Sequence, residues 1–210
     1  MRMREREKMK TTKMMVALSV CAMTATAMAD VYTDEASFLA NITDSYANGF
    51  DDAVTGPIAS LSYDNGTYSY TVSASGDAAG TLYNDTGLVS TDSALDGILV
   101  SFTGAAVTAV GGNFWATDVA VLPTGTDIVI TLSDGTVESF TSTGASDFRG
   151  FTSDIAISSI FIDALDVDPD AGPYYWATMD NLVVGSAIPT PGSLALLGMG
   201  GLAASRRRRA

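Results

Sequence analysis

Aspartate carries most of the chemical capacity of this sequence. Its densest group is Asp163, Asp166, Asp168 and Asp170, a run that ends at Gly172-Pro173. Carboxylates that alternate along a chain can turn onto one hard cation, and oxygen ligands of this kind suit calcium. The run is not an EF-hand. Ala171 stands where that loop needs glycine, and Ala177 where it needs a bidentate glutamate. The four aspartates therefore read first as a solvated acidic turn between strands and second as a calcium site.

A second group is aromatic. Phe114-Trp115 and Tyr174-Tyr175-Trp176 fall on expected strands, where neighbouring side chains face opposite ways. One ring of each group should then face outward. An outward Trp115, Tyr175 or Trp176 could stack on a sugar, and packing in the core is the competing fate of the same rings.

Other chemistry is limited by what is missing. Residues 30–187 contain no Lys, His or Cys. That excludes Ser-His-Asp and Cys-His nucleophiles, Schiff-base lysines and the usual His/Cys zinc sites. No Walker A loop and no dinucleotide fingerprint is present. Paired carboxylates can hydrolyse glycosides. Here 22 acids share the span, so some pair always falls at a suitable distance and the signal is empty. No catalytic residue is assigned, and the chain reads as not an enzyme.

Those 22 acids face a single cation, Arg149, giving residues 30–187 a net charge of −21 against −13 for the whole chain. Such a surface repels nucleic acid and anionic membrane and stays in solution. The span has no cysteine for disulfides, although an exported chain would be permitted them.

The basic residues are held at the two ends. At the C-terminal end, Pro189-Thr190-Pro191 is stiff and extended, because each proline fixes φ and removes a donor. Ser193–Ser205 follows without a charge, and Arg206, Arg207, Arg208 and Arg209 come last. Four arginines are costly to move across a bilayer. The apolar run reaches about 20 Å as a helix, against a hydrocarbon core of about 30 Å. It is too short for a lasting anchor and suits a transient one.

This tail resembles the PEP-CTERM sorting signal of bacterial surface proteins: a Pro-x-Pro motif, a short Leu/Gly/Ala helix and a terminal arginine cluster. Thr190 stands where that family usually has glutamate. The resemblance implies handling by an exosortase, a membrane cysteine protease thought to cleave near the motif and pass the protein outward.

The N-terminal end mirrors the tail. Arg2, Arg4, Arg6, Lys8, Lys10 and Lys13 precede the apolar run Met14–Met28, and Ala27-Met28-Ala29 is an A-x-A cleavage site. The mature chain is expected to begin at Asp30. A lipoprotein reading would use Cys21, with Val20 a poor residue before it. Three regions follow: a signal peptide at 1–29, an extracellular domain at 30–185 and a sorting tail at 186–210. The tail divides into linker and motif (186–192), apolar helix (193–205) and arginine cluster (206–209).

The elements between the ends read as β. Asp34 to Ile42 is the helix candidate, capped by Thr33 or Asp34, with Phe38, Leu39 and Ile42 on one face. Strand signals follow at Ile58–Tyr63, Thr67–Val72, Ile98–Phe102 and Ala106–Trp115, with Gly104 and Gly111-Gly112 as breaks. Ile128–Leu132, Val137–Phe140, Ile155–Ile162 and Tyr174–Val184 complete the set. Asn65-Gly66 and Asp134-Gly135 are tight-turn dipeptides. Turn signals at this spacing, with β-branched strands between them, predict an antiparallel β-sandwich or jelly roll with one short N-terminal helix.

The body also resembles the domains that commonly precede this sorting signal. The resemblance rests on Tyr32-Thr33-Asp34-Glu35-Ala36-Ser37-Phe38-Leu39, Ala109-Val110-Gly111-Gly112-Asn113-Phe114-Trp115, Phe148-Arg149-Gly150-Phe151-Thr152-Ser153-Asp154 with Ile157 after it, and Met179-Asp180-Asn181-Leu182. Similar closing strands occur in carbohydrate-binding jelly rolls. The expected function is that of an exported, non-catalytic cell-surface or matrix protein, associated with exopolysaccharide and processed by an exosortase-like enzyme after transient membrane insertion of its tail. A carbohydrate-binding module on the same scaffold is the second reading, and a divergent polysaccharide hydrolase the third.

Overall fold

The computed structural model of the chain describes residues 28–78, 80–165 and 172–189. Ala27, Asp166, Asp168, Asp170, Thr190, Pro191 and Arg206–Arg209 lie outside the described residues.

In chain order the elements are β1 (Asp30–Tyr32), α1 (Glu35–Leu39), β2 (Ile42–Asn48), β3 (Gly56–Ile58), β4 (Ser60–Asp64), β5 (Ser69–Gly76), β6 (Leu82–Asp85), β7 (Leu88–Thr91), β8 (Asp96–Phe102), β9 (Val107–Thr117), β10 (Pro123–Thr124), β11 (Asp127–Leu132), β12 (Val137–Thr141), β13 (Phe148–Ile157), β14 (Ser159–Ala164) and β15 (Trp176–Ala187). The fold is mainly β, and its strand pairings are antiparallel. Among the described residues, nine strands form one sheet in the order β1-β13-β9-β15-β7-β6-β3, with β10 added to β9 and β2 to β15. Six form the other, ordered β12-β11-β14-β8-β5-β4.

Alternation explains the core. On β11, Ile128, Ile130 and Leu132 are buried, alternating with exposed Asp127 and Thr131 and half-buried Val129. They join Tyr70, Val72, Ile98, Val100, Ile160 and Ile162 of the smaller sheet. Val110, Phe114, Ala116, Met179 and Val184 of the larger sheet belong to the same apolar cluster, so both sheets bury one face in it.

Both predicted turns form. Gly66 and Gly135 take φ of 85° and 96°, and the preceding Asp64 and Asp134 carboxylates accept the N–H groups of Gly66 and Thr136. Asp34 caps α1 from an extended backbone, its Oδ1 accepting the Ser37 N–H at 2.8 Å.

Several expectations need correction. The helix stops at Leu39, because Ile42 is already paired with Ala187 in the larger sheet. Ile155–Ile162 is not one strand. The chain leaves the larger sheet at Ile157 and enters the smaller one at Ser159. β15 runs through Ser186 and Ala187, two residues into the expected linker. The Ile188 N–H then donates to Asn41 O.

Gly111-Gly112 does not interrupt β9. Gly111 and Gly150 are direct partners on β9 and β13, and together they make a flat floor for Phe38. A Cβ on Gly150 would lie 2.5 Å from the Phe38 ring, and one on Gly111 2.9 Å from it. Phe38, Ile42, Ala109, Phe148 and Val183 form a second small cluster there. The four segments that carry the body resemblance therefore meet: α1 lies over β9 and β13, and Met179 and Asp180 pair with Phe114 and Asn113.

Candidate functional site

The acidic run is represented by Asp163, which sits on β14 opposite Val129. Among the described residues, no three His, Cys, Asp or Glu side chains converge on a metal-sized site. The same residues include no helix long and apolar enough to cross a membrane.

The aromatic residues separate by environment. Phe114 and Trp115 lie on opposite faces of β9, as alternation requires. Yet both are buried, Trp115 at 2% exposure. Its indole has no open face for a ligand, which corrects the expectation that one ring of that pair is available. Tyr174 is exposed and Tyr175 packs against the core. Trp176, the first residue of β15, is half-buried and lines a cavity of about 240 Å³.

Four strands build that cavity on the face of the larger sheet that turns away from the shared core. Tyr83 of β6 is the Cα partner of Ser90 on β7, Ser90 is the partner of Thr178, and Trp176 is the partner of Thr117 on β9. Asp92, Asp118 and Val121 supply loop walls.

Beneath the cavity runs a chain of buried hydroxyls. Ser90 Oγ donates to Ala177 O at 3.0 Å, and Thr178 Oγ1 donates to Ser90 Oγ at 3.2 Å. Thr117 and Thr178 hydroxyls are 2.9 Å apart. Thr178 Oγ1 also reaches Trp176 O at 3.5 Å, so its one proton has more than one acceptor. Either hydroxyl of the Thr117–Thr178 pair can be the donor, and both oxygens keep lone pairs that accept.

The loop after β9 is braced by Asp118. Its Oδ1 accepts the N–H groups of Ala120 at 2.8 Å and Leu122 at 3.0 Å. The backbone closes the same loop through Asp118 N–H to Leu122 O and Val121 N–H to Asp118 O. Val121 is held at φ 62°, in the left-handed region that a β-branched residue avoids. Val119 and Leu122 beside it are strongly exposed.

Two carboxylates converge elsewhere on this sheet. Asp51 and Asp180 both approach Gly49, whose Cβ position lies 3.4 Å from one and 3.8 Å from the other. Burial pushes the Asp180 carboxyl up and the Asp51 charge adds to the rise, against a hydrogen bond from the Asn181 N–H that lowers it. Arg149 is committed to structure. Its guanidinium lies 3.7 Å from the Phe140 ring centroid, Nη1 donates to Phe148 O at 2.8 Å, and Nε is 3.4 Å from Glu138 Oε1 without a hydrogen bond. Because β13 and β12 belong to different sheets, this contact ties the two together. Burial and the Asp52 carboxylate, hydrogen-bonded to it, raise the Tyr63 phenol to about 12. Burial likewise raises Tyr70, so both stay protonated at neutral pH.

At the other end of the larger sheet, Met28, Asp30, Asp154, Ala187 and Ile188 line a second cavity of about 250 Å³. The Ala29 N–H donates to Thr136 Oγ1 at 2.8 Å. The segment at the expected cleavage site and the strand leading to Pro189 thus lie side by side.

Comparison with protein-family models and with curated proteins finds no match to this chain.

Of the cavity residues, only Trp176 is legible from local sequence. Tyr83, Asp92, Asp118 and Val121 were missed. The one local signal was Asp118 four residues ahead of Leu122-Pro123, a short turn followed by a proline.

Proposed function

We propose that the chain is an exported, non-catalytic surface or matrix protein, folded as a jelly-roll sandwich and sorted by an exosortase-like enzyme into an exopolysaccharide layer. The observation that carries this is the order of the tail: Pro189-Thr190-Pro191, the uncharged run Ser193–Ser205, then Arg206–Arg209. Residues next to the leader and the tail line one cavity, which supports the reading, because a body tethered at one corner leaves its opposite end free. Cleavage after Ala29 would place an α-ammonium on Asp30, in a cavity lined by the Asp30 and Asp154 carboxylates, where a cation is favoured.

The test is expression in a bacterium that carries an exosortase. Mass spectrometry of the surface protein should find Asp30 at the N-terminus. Replacing Arg206–Arg209 with Ser, or Pro189 and Pro191 with Ala, should trap the protein at the membrane. Normal delivery of both variants overturns the proposal. The reading as a carbohydrate-binding module is favoured by one observation, the half-buried indole of Trp176 in a cavity with carboxylates.

A further inference from the structure

The geometry points to the Trp176 cavity as a binding site for one neutral pyranose unit of a polysaccharide, closed to uronate, sulfate and phosphate. This deepens the exopolysaccharide association proposed above and rests on it for the source of the glycan.

Size sets the first limit. About 240 Å³ lies below the range of about 300–1,000 Å³ usual for drug-sized ligands, so the occupant is small or is one unit of a longer chain. Chemistry sets the second. Tyr83 and Trp176 supply aromatic surface, and Val121 an apolar wall. A pyranose combines a C–H face that packs on such surface with a rim of hydroxyl donors.

The polar groups are one-sided. Asp92 and Asp118 are acceptors when ionised, and the backbone takes up Asp118 Oδ1 while leaving Oδ2 available. Ser90 and Thr91, also in the lining, give their hydroxyl protons to Ala177 O and Ser93 O. A ligand must therefore bring donors. Two carboxylates at the wall repel a uronate or a sulfate ester, and the net charge of −21 on residues 30–187 extends that repulsion outward.

Strain gives an independent pointer. Val121 is kept at positive φ by the hydrogen bonds that Asp118 organises, and it forms a wall of this same cavity. A costly backbone held in place by its surroundings is characteristic of sites that are pre-shaped for a ligand.

The test is titration of the purified full chain with methyl glucoside, methyl glucuronoside and glucosamine, followed by calorimetry and by tryptophan fluorescence. Trp115 is buried, so a fluorescence change reports Trp176. Methyl glucoside should bind with a dissociation constant on the order of millimolar, and the glucuronoside at least about tenfold more weakly. Trp176→Ala should weaken glucoside binding at least about tenfold by calorimetry. If that variant does not fold, Tyr83→Ala serves in its place. Asp92→Asn with Asp118→Asn should bring the glucuronoside within about threefold of the glucoside. Val121→Gly should raise the melting temperature while weakening the glucoside, a split that a merely structural loop would not show. Absence of glucoside binding at tens of millimolar overturns the proposal. Binding of glucosamine alone, abolished by salt, also overturns it and makes the cavity a cation site. Because the secretion assay reads the tail and the titration reads the cavity, sorting can fail without sugar binding failing, and the reverse.

Discussion

Gly150→Ala tests how α1 is seated. Gly150 lies on β13 between Tyr32 of β1 and Gly111 of β9, with no left-handed φ, so its backbone accepts alanine. The obstacle is the ring above it. The new Cβ would lie 2.5 Å from Phe38 Cδ2, 2.6 Å from Cγ and 3.0 Å from Phe148 Cε1. Carbon contacts are comfortable at about 3.5–4.0 Å, so the ring must retreat by about 1 Å. It has nowhere to go, since Phe38 is fully buried and packed at 5.9 Å against Tyr32 and 5.6 Å against Phe148. Overpacking of this kind costs about 1–3 kcal/mol. Loss of all the packing of the ring, about 3–5 kcal/mol, is the ceiling. Alanine in a strand interior is itself better than glycine by about 0.5–1 kcal/mol. The expected net loss is about 0.5–2 kcal/mol, at roughly 2–4 °C in Tm per kcal/mol for a chain of this size. In a Phe38→Ala background the obstacle is gone, and the same substitution should be neutral or stabilising by up to about 1 kcal/mol. Urea unfolding of the four proteins, followed by circular dichroism, gives the coupling directly. An equal cost for Gly150→Ala in both backgrounds would refute the glycine floor.

Two further predictions use the same measurement. Arg149→Met should cost about 2–3 kcal/mol, because it removes the stacking on Phe140 and the bond to Phe148 O. Glu138→Gln should cost under about 1 kcal/mol, since that pair is partly exposed and lacks a hydrogen bond; a larger loss would make the ion pair the main tie between the sheets. Asp180 titrates above its unfolded value, so the penalty for its charge is absent below about pH 4 and grows as pH rises through the folded-state value. Asp180→Asn should therefore raise Tm at pH 7 and leave it unchanged at pH 3, whereas the same rise at both pH values would rule out charge as the cause.

Local rules account for what could be read in advance. The turns at Asn65-Gly66 and Asp134-Gly135, the cap at Asp34 and the alternating face of β11 each depend on residues a few positions apart. The sequence alone therefore determined a β body, two of its hairpin turns and the start of its helix. It also determined the absence of His, Cys and Lys chemistry from residues 30–187 and the placing of nearly all cations at the two ends.

What escaped local reading depends on partners far away in the chain. β2 is largely polar and β6 and β7 are only four residues each, and they are strands because β15, β3 and each other hold their backbones. Gly111 looks like a break until Gly150 and Phe38, far off in sequence, cover it. Trp115 faces away from the shared core as alternation demands, but burial is decided by what lies over a face, and no periodicity records that. The cavity is the extreme case. Tyr83, Asp118 and Trp176 become neighbours only through the register β6-β7-β15-β9, and the hydroxyls of its floor meet only because β7, β9 and β15 bring Ser90, Thr117 and Thr178 together.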